Sequence, residues 1–154
     1  MDDISKLEAR LRRLEDLEEI RRLFEDYGYH LDRGQWHEYA DLYSEDGQMR
    51  LGPVRANGRA AIEAAAQEGF GGGGGGQSTR TPIREGGLGG LHVIGSPRIE
   101  LDGDRATAEV MWVVIVRDTE DKPFVSSAGH HLDDLVRENG RWHFQKRRGF
   151  IDIP

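Results

Sequence analysis

Apolar residues recur at three- and four-residue steps from Ile4 through Leu7, Leu11, Leu14, Leu17, Ile20, Leu23/Phe24 and Tyr27 to Leu31. That spacing puts one apolar stripe on a helix, so residues 4–31 are predicted helical. Asp2 and Asp3 place negative charge at the N-terminal end, where the helix dipole favours it. Asp16 can cap a second helix, which allows a bend near 15–18. The first turns read equally as a short partner-binding helix or as a helix covering its own domain. After Gly34, residues 35–43 form a second, short helix with Trp36, Tyr39/Ala40 and Tyr43 on one face. "SEDGQ" reads as a turn and "QMRL" as a short strand. Gly52-Pro53 and Asn57-Gly58 punctuate the next stretch, and the alanine-rich Arg59–Glu68 is predicted helical.

Residues 69–90 hold 11 of the chain's 21 glycines, six of them consecutive at 71–76. Glycine loses the most entropy on ordering, so a flexible loop is expected here. It reads as a lid over a pocket or as a merely long loop. No Lys-Ser/Thr follows the glycines, as a phosphate-binding loop requires. From His92 the pattern turns to strands. "LHVIGSPRIEL" leads to an Asp102-Gly103 turn, and "RATAEVMWVVIVRD" runs to a turn at "TEDK". "PFVSSAGHHLDDLVRE" then reaches an Asn139-Gly140 turn, followed by "RWHFQKRRGFID". Such turns favour hairpins. Helices first and an antiparallel meander last predict an α+β domain. A curved sheet wrapped over the N-terminal helices would enclose one pocket.

The 154 residues suit a single domain spanning 1–154. Apolar residues make up 36% and charged residues 32%, a globular composition with a well-solvated surface. The net charge of −7 disfavours nucleic acid, because phosphate binding needs a basic face. The chain has no cysteine, which excludes disulfides, thiolate nucleophiles and cysteine-based zinc sites. No window approaches a membrane span, and the charged first residues do not read as a signal peptide. A cytoplasmic location is therefore expected, with no membrane partner.

His92 is the candidate base whose ordinary pKa lies near neutrality within a predicted apolar strand. Asp32 can accept from one of its ring nitrogens and stabilise the imidazolium. Read from the residues alone, His92 is better explained as a core histidine bonded to backbone, and Asp32 reads as a helix-end or cap residue. Trp36, Tyr43, Met49, Trp112, Phe144 and Phe150 are candidate pocket walls or plain core. Trp112 shares a strand face with Val110 and Val114. His130 and His131 point to opposite faces; His131 lies with Asp133 and Leu135. Arg147 and Arg148 alternate too, and salt bridges to Asp133 or Asp134 are expected of them. No ligand spacing demands a metal.

The chain as a whole resembles the SnoaL-like branch of the nuclear transport factor 2-like superfamily. The resemblance is carried by "LEEIRRLFEDYGYHLDRGQWHEYADLYSEDG", "NGRAAI", the His92 strand, "LDGDRATAEVMWVV" and "GHHLDDLVRENGRWHFQKRRGFID", in that order. It implies a cone-like α+β barrel with a deep apolar pocket, as a dimer or trimer. Within the superfamily the chain is most similar to the branch of scytalone dehydratase, bile-acid 7α-dehydratase and hexachlorocyclohexane dehydrochlorinase. Those enzymes place an Asp after the first long helix and a His on the strand after the third, and Asp32 and His92 match. Tyr27 matches a catalytic tyrosine of the bile-acid enzyme. Three departures stand out, one of them the polyglycine run, which replaces a more ordinary loop. Ile115 falls where that enzyme has a further carboxylate, and His131 stands where many relatives have Tyr.

The expectation is a cofactor-independent lyase, or a proton-shuttling isomerase, acting on a small hydrophobic cyclic molecule. His92, Asp32 and Tyr27 are catalytic in this reading, and His131 lies in the substrate pocket. The alternative is a non-catalytic binding or assembly module. Tyr27 and Asp32 are five residues apart, ~140° around an ideal helix, so a frayed helix end would be needed to bring them together.

Overall fold

The computed structural model describes residues 2–70 and 87–154. The expected glycine-rich loop or lid falls largely outside the described residues. Helix α1 runs unbroken from Asp3 to Arg33. The Asp2 side chain caps it by accepting the Ser5 N–H at 2.7 Å. Gly34, at φ 65°, closes it in the left-handed conformation that costs glycine least. The bend near 15–18 does not occur. Asp16 is a mid-helix carboxylate bonded to Trp142 Nε1 at 3.1 Å and to Arg137, so its acceptors are taken by tertiary partners rather than by a cap. Ile20, Leu23, Phe24, Tyr27 and Leu31 are buried. Ile4, Leu7, Leu11 and Leu14 stand 57–67% exposed.

Two short helices follow, α2 (Trp36–Asp41) and α3 (Arg59–Phe70). Between them lie β1 (Tyr43–Leu51) and β2 (Val54–Asn57), an antiparallel hairpin. "SEDGQ" is therefore not a free turn. It lies inside β1, at an irregularity in register between Tyr43 and Gln48. A Cβ at Gly47 would lie 2.8 Å from Tyr43 Cβ, so this fold of the strand closes only around a glycine. Such a bulge looks like a turn in sequence.

The second half supplies β3 (Gly90–Ile94), β4 (Arg98–Asp102), β5 (Arg105–Arg117), β6 (Pro123–Glu138) and β7 (Arg141–Ile153). The apolar run from His92 is thus two strands, broken at Gly95-Ser96-Pro97, and both pair antiparallel with β5. The meander β4–β5–β6–β7 follows the expected turns. Asn139 and Gly140 both take positive φ, 52° and 78°, as a tight hairpin turn requires. The sheet order is β2-β1-β7-β6-β5-β3, with β1 and β7 parallel. It curves around the C-terminal half of α1 without closing, giving an α+β cone. Phe24 meets Phe144 edge to face at 5.2 Å. Burying each of these rings contributes roughly 1.5–3 kcal/mol.

Candidate functional site

Asp32 lies in the last turn of α1, one turn beyond Gly28. A Cβ at Gly28 would approach Ile94 Cγ1 to 3.1 Å and the His92 carbonyl to 3.4 Å. Glycine therefore lets β3 lie close against α1, and that approach delivers His92 to Asp32. Asp32 Oδ1 sits 2.6 Å from His92 Nδ1. The His92 backbone N–H also donates to both carboxylate oxygens, at 3.1 and 3.0 Å. A carboxylate can only accept, so Nδ1 carries the proton and Nε2 keeps its lone pair. The Asp32 side chain is 8% exposed and that of His92 22%.

His92 borders two hollows. A groove of about 340 Å³ lies on the Asp32 side, along Arg21, Glu25 and Gly28. The other is a largely apolar cavity of about 290 Å³ that includes Tyr27, Met49, Trp112, Val114, His131 and Ile151. Tyr27 reaches this cavity from an intact helix, so no frayed end is involved. The imidazole spans the gap, with Asp32 on one side and Tyr27 across the cavity. Burial raises the Tyr27 hydroxyl pKa above its ordinary value, which keeps it a protonated donor.

A layer of polar groups underlies the cavity floor. Arg147 is completely buried, its guanidinium stacked 3.9 Å from the Tyr27 ring centroid and 4.4 Å from that of Phe144. Its Nη2 donates to His131 Nδ1 at 2.7 Å. Its Nε lies 3.4 Å from Asp133 Oδ1. The expected salt bridges are present, with Arg148 paired to Asp134 at 3.3 Å. Burial pushes Asp133 up to about 7, against the pull of Arg147. Burial, and then Arg147, push the His131 pKa well below its ordinary value.

Of the expected pocket walls, Met49, Trp112 and His131 line the cavity. Tyr43 and Phe144 are fully buried in the core beneath it. Trp36 packs against Gly34 at the start of α2, outside the cavity. Phe150 lies on the outer face, stacked on His130 at 4.8 Å. The cause is a register shift between Asp134 and Leu135 opposite Gln145. It flips the inward side of β7 from Phe144 to Arg147, Gly149 and Ile151. Sequence reading missed Gly28 and Gly149, whose only signal was a lone glycine within a regular element. Among the described residues, no three His, Asp or Glu side chains gather to hold a metal. None of the described helices is long and apolar enough to cross a membrane.

A search of the curated proteins returned no match. Among solved structures, the chain is similar to an NTF2-like protein with a cystatin-like fold from Novosphingobium aromaticivorans. That pair is 31% identical with a TM-score of 0.81, covering 99% of this chain and 92% of the other. A candidate scytalone dehydratase from the same organism is 26% identical with a TM-score of 0.70, covering 92% and 87%. ActVI-ORFA from Streptomyces coelicolor, at 21% identity and a TM-score of 0.69 over 88% and 96%, shares the fold. The SnoaL-like domain family matches residues 12–148, and with the cone, its helices and its cavity in place the chain belongs to that family, within the NTF2-like superfamily.

Proposed function

We propose that the protein is a cofactor-independent lyase of the dehydratase or dehydrohalogenase type, or a proton-shuttling isomerase using the same groups. Its substrate is a small, hydrophobic, cyclic molecule. The observation that carries this reading is the 2.6 Å Asp32–His92 contact, made by a ring that also lines an apolar cavity. His92 Nε2 removes a proton from the carbon beside the leaving group. Asp32 holds the tautomer and stabilises the imidazolium. Tyr27 donates to the electrophilic end of the substrate. The similarity to a candidate scytalone dehydratase supports the reaction class.

His92→Ala and Asp32→Asn, assayed on a panel of cyclic alcohols and halides, each lower kcat by about a hundred- to ten-thousandfold. The melting temperature stays within a few degrees of wild type. Full turnover by His92→Ala sinks the assignment. A second reading, a binding or assembly module, draws on the exposed apolar ridge of α1 and the apolar outer sheet. It gains if no member of the panel turns over while hydrophobic ligands still bind.

A further inference from the structure

The apolar stripe along α1 is in fact two stripes on opposite sides of the helix. Counted around the helical turn, Ile4, Leu7, Leu11 and Leu14 share one side. The buried residues Asp16, Ile20, Leu23, Tyr27 and Leu31 share the other. The first set is therefore no continuation of the core face. The side of these first turns that looks toward the chain's own sheet carries Ala9, Arg12 and Arg13, which border a groove with Leu101, Gly103 and Arg137. The aliphatic ridge points away from that groove. From Asp2 to Glu15 no residue of α1 is buried. This arm, ~15 Å from Ile4 to Leu14 at the helical rise, holds four aliphatic side chains in water.

A second apolar surface is equally uncovered. On the outer face of the sheet, cross-strand pairing sets Met111, His130 and Phe150 in one row. Val93, Val113, Ala128 and Ile153 form the next, across β3, β5, β6 and β7. Met111, Phe150, Val93 and Ile153 are all exposed. The longer row spans ~14 Å at the usual strand spacing, which matches the ridge. Charge matches too. The row beyond Met111 begins at Arg98 and ends at Arg148. The ridge is edged by Glu8 and Glu15 on one side and by Arg10 on the other.

A helix with one apolar side and a sheet with one open apolar face bury both by packing together. Within one chain these two cannot meet. α1 is a single unbroken helix on the inner side of the sheet, where Phe24 meets Phe144. Asp16 ties it to Trp142 and Arg137 at the point where the arm begins. No bend carries the arm round to the outer face.

We infer that the first turns of α1 are an exchange arm: residues 4–14 of one copy lie across the outer strands of a second copy, with Glu8 and Glu15 beside Arg98 and Arg148. Two copies that trade arms close as a dimer, and three in head-to-tail order close as a ring. Either arrangement covers both surfaces on every copy. Arm against arm leaves the outer sheet open, and sheet against sheet leaves the ridge open. The docked arm also backs β3, whose inner side presents His92 to the cavity.

The test is the solution size of the full chain, by light scattering at high micromolar concentration. Wild type is a dimer or trimer. Leu7→Glu/Leu11→Glu in the arm and Met111→Glu in the sheet are each monomeric. Their melting temperatures stay within a few degrees of wild type, because all three side chains are exposed. Mixing the two monomers restores a one-to-one pair, since an intact arm then meets an intact sheet. The absence of cysteine allows a second measurement. Leu11→Cys mixed with Met111→Cys or with Val93→Cys forms a disulfide-linked pair about tenfold faster than any of the three does alone, because docking raises the local thiol concentration. Fast linkage of Leu11→Cys to itself makes the arms a coiled coil, and fast linkage of Met111→Cys to itself makes the sheets the interface. Either result overturns the inference. So does a wild-type monomer, an arm variant that keeps its partner, or two variant monomers that stay apart on mixing.

Discussion

At the scale of single residues, the floor of the cavity is an electrostatic balance. Asp133 has its pKa raised from 3.8 to about 7 by burial. The folded protein therefore binds that proton more tightly than the unfolded chain. Its contribution to stability is full below pH 4 and is lost as pH rises through 7. His131 has the opposite sign. Its folded pKa lies far below its ordinary 6.5, so stability is full above pH 6.5 and falls as pH drops below it. Between pH 7 and 4 the two slopes oppose each other. Chemical denaturation at pH 7 and pH 5 should separate them. Asp133→Asn loses stability on going to pH 5, and His131→Gln gains it. Equal pH profiles in the two variants would contradict the assignment.

At the scale of elements, α1 and β3 meet through Gly28, and this contact sets the dyad distance. Gly28→Ala adds helix propensity worth about 1 kcal/mol, but its Cβ enters at 3.1 Å from Ile94 and 3.4 Å from the His92 carbonyl. The expected outcome is a stability change within about 1 kcal/mol together with a lengthened Asp32–His92 bond and at least a tenfold drop in kcat. Unchanged turnover would show that β3 can lie further from α1 without harm. The helices and hairpins were legible because periodicity and turn chemistry are local. Asp32 and His92 could be matched by position along the chain, while their meeting depended on a tertiary approach. Phe144 keeps the inward side that counting by twos gives it, and Phe150 loses it for one reason. Counting by twos assumes a regular strand, and one extra residue at Gln145 reverses the count. The polar layer was half legible: that Arg147 and Arg148 would meet Asp133 or Asp134 followed from alternation. The bond from Arg147 to His131 did not, because it joins two strands whose register the bulge sets.

At the scale of the molecule, apolar surface remains on the outer sheet. Register aligns Met111 of β5 with His130 of β6 and Phe150 of β7. Leu91 and Val93 extend the stripe at the β3 edge, and Met111 is 60% exposed. A monomer rarely leaves such a patch open, so a second copy is its expected occupant. Light scattering should give a dimer or trimer, and Met111→Glu should shift it to monomer. A wild-type monomer at high micromolar concentration would count against this.

The parallel pairing of β1 with β7 has a consequence for how the protein is made. Tyr43 is aligned with Phe144 and Met49 with Arg147, so β1 cannot complete its pairing until β7 has been made. Contacts this distant in sequence slow folding. On a ribosome, the N-terminal helices and β1 emerge with their apolar faces unpaired until β7 is released. The cavity is therefore complete only once β7 has emerged, since Gly149 and Ile151 line it. A nascent chain stalled before Arg141 should be held by chaperones and open to proteases along its whole length.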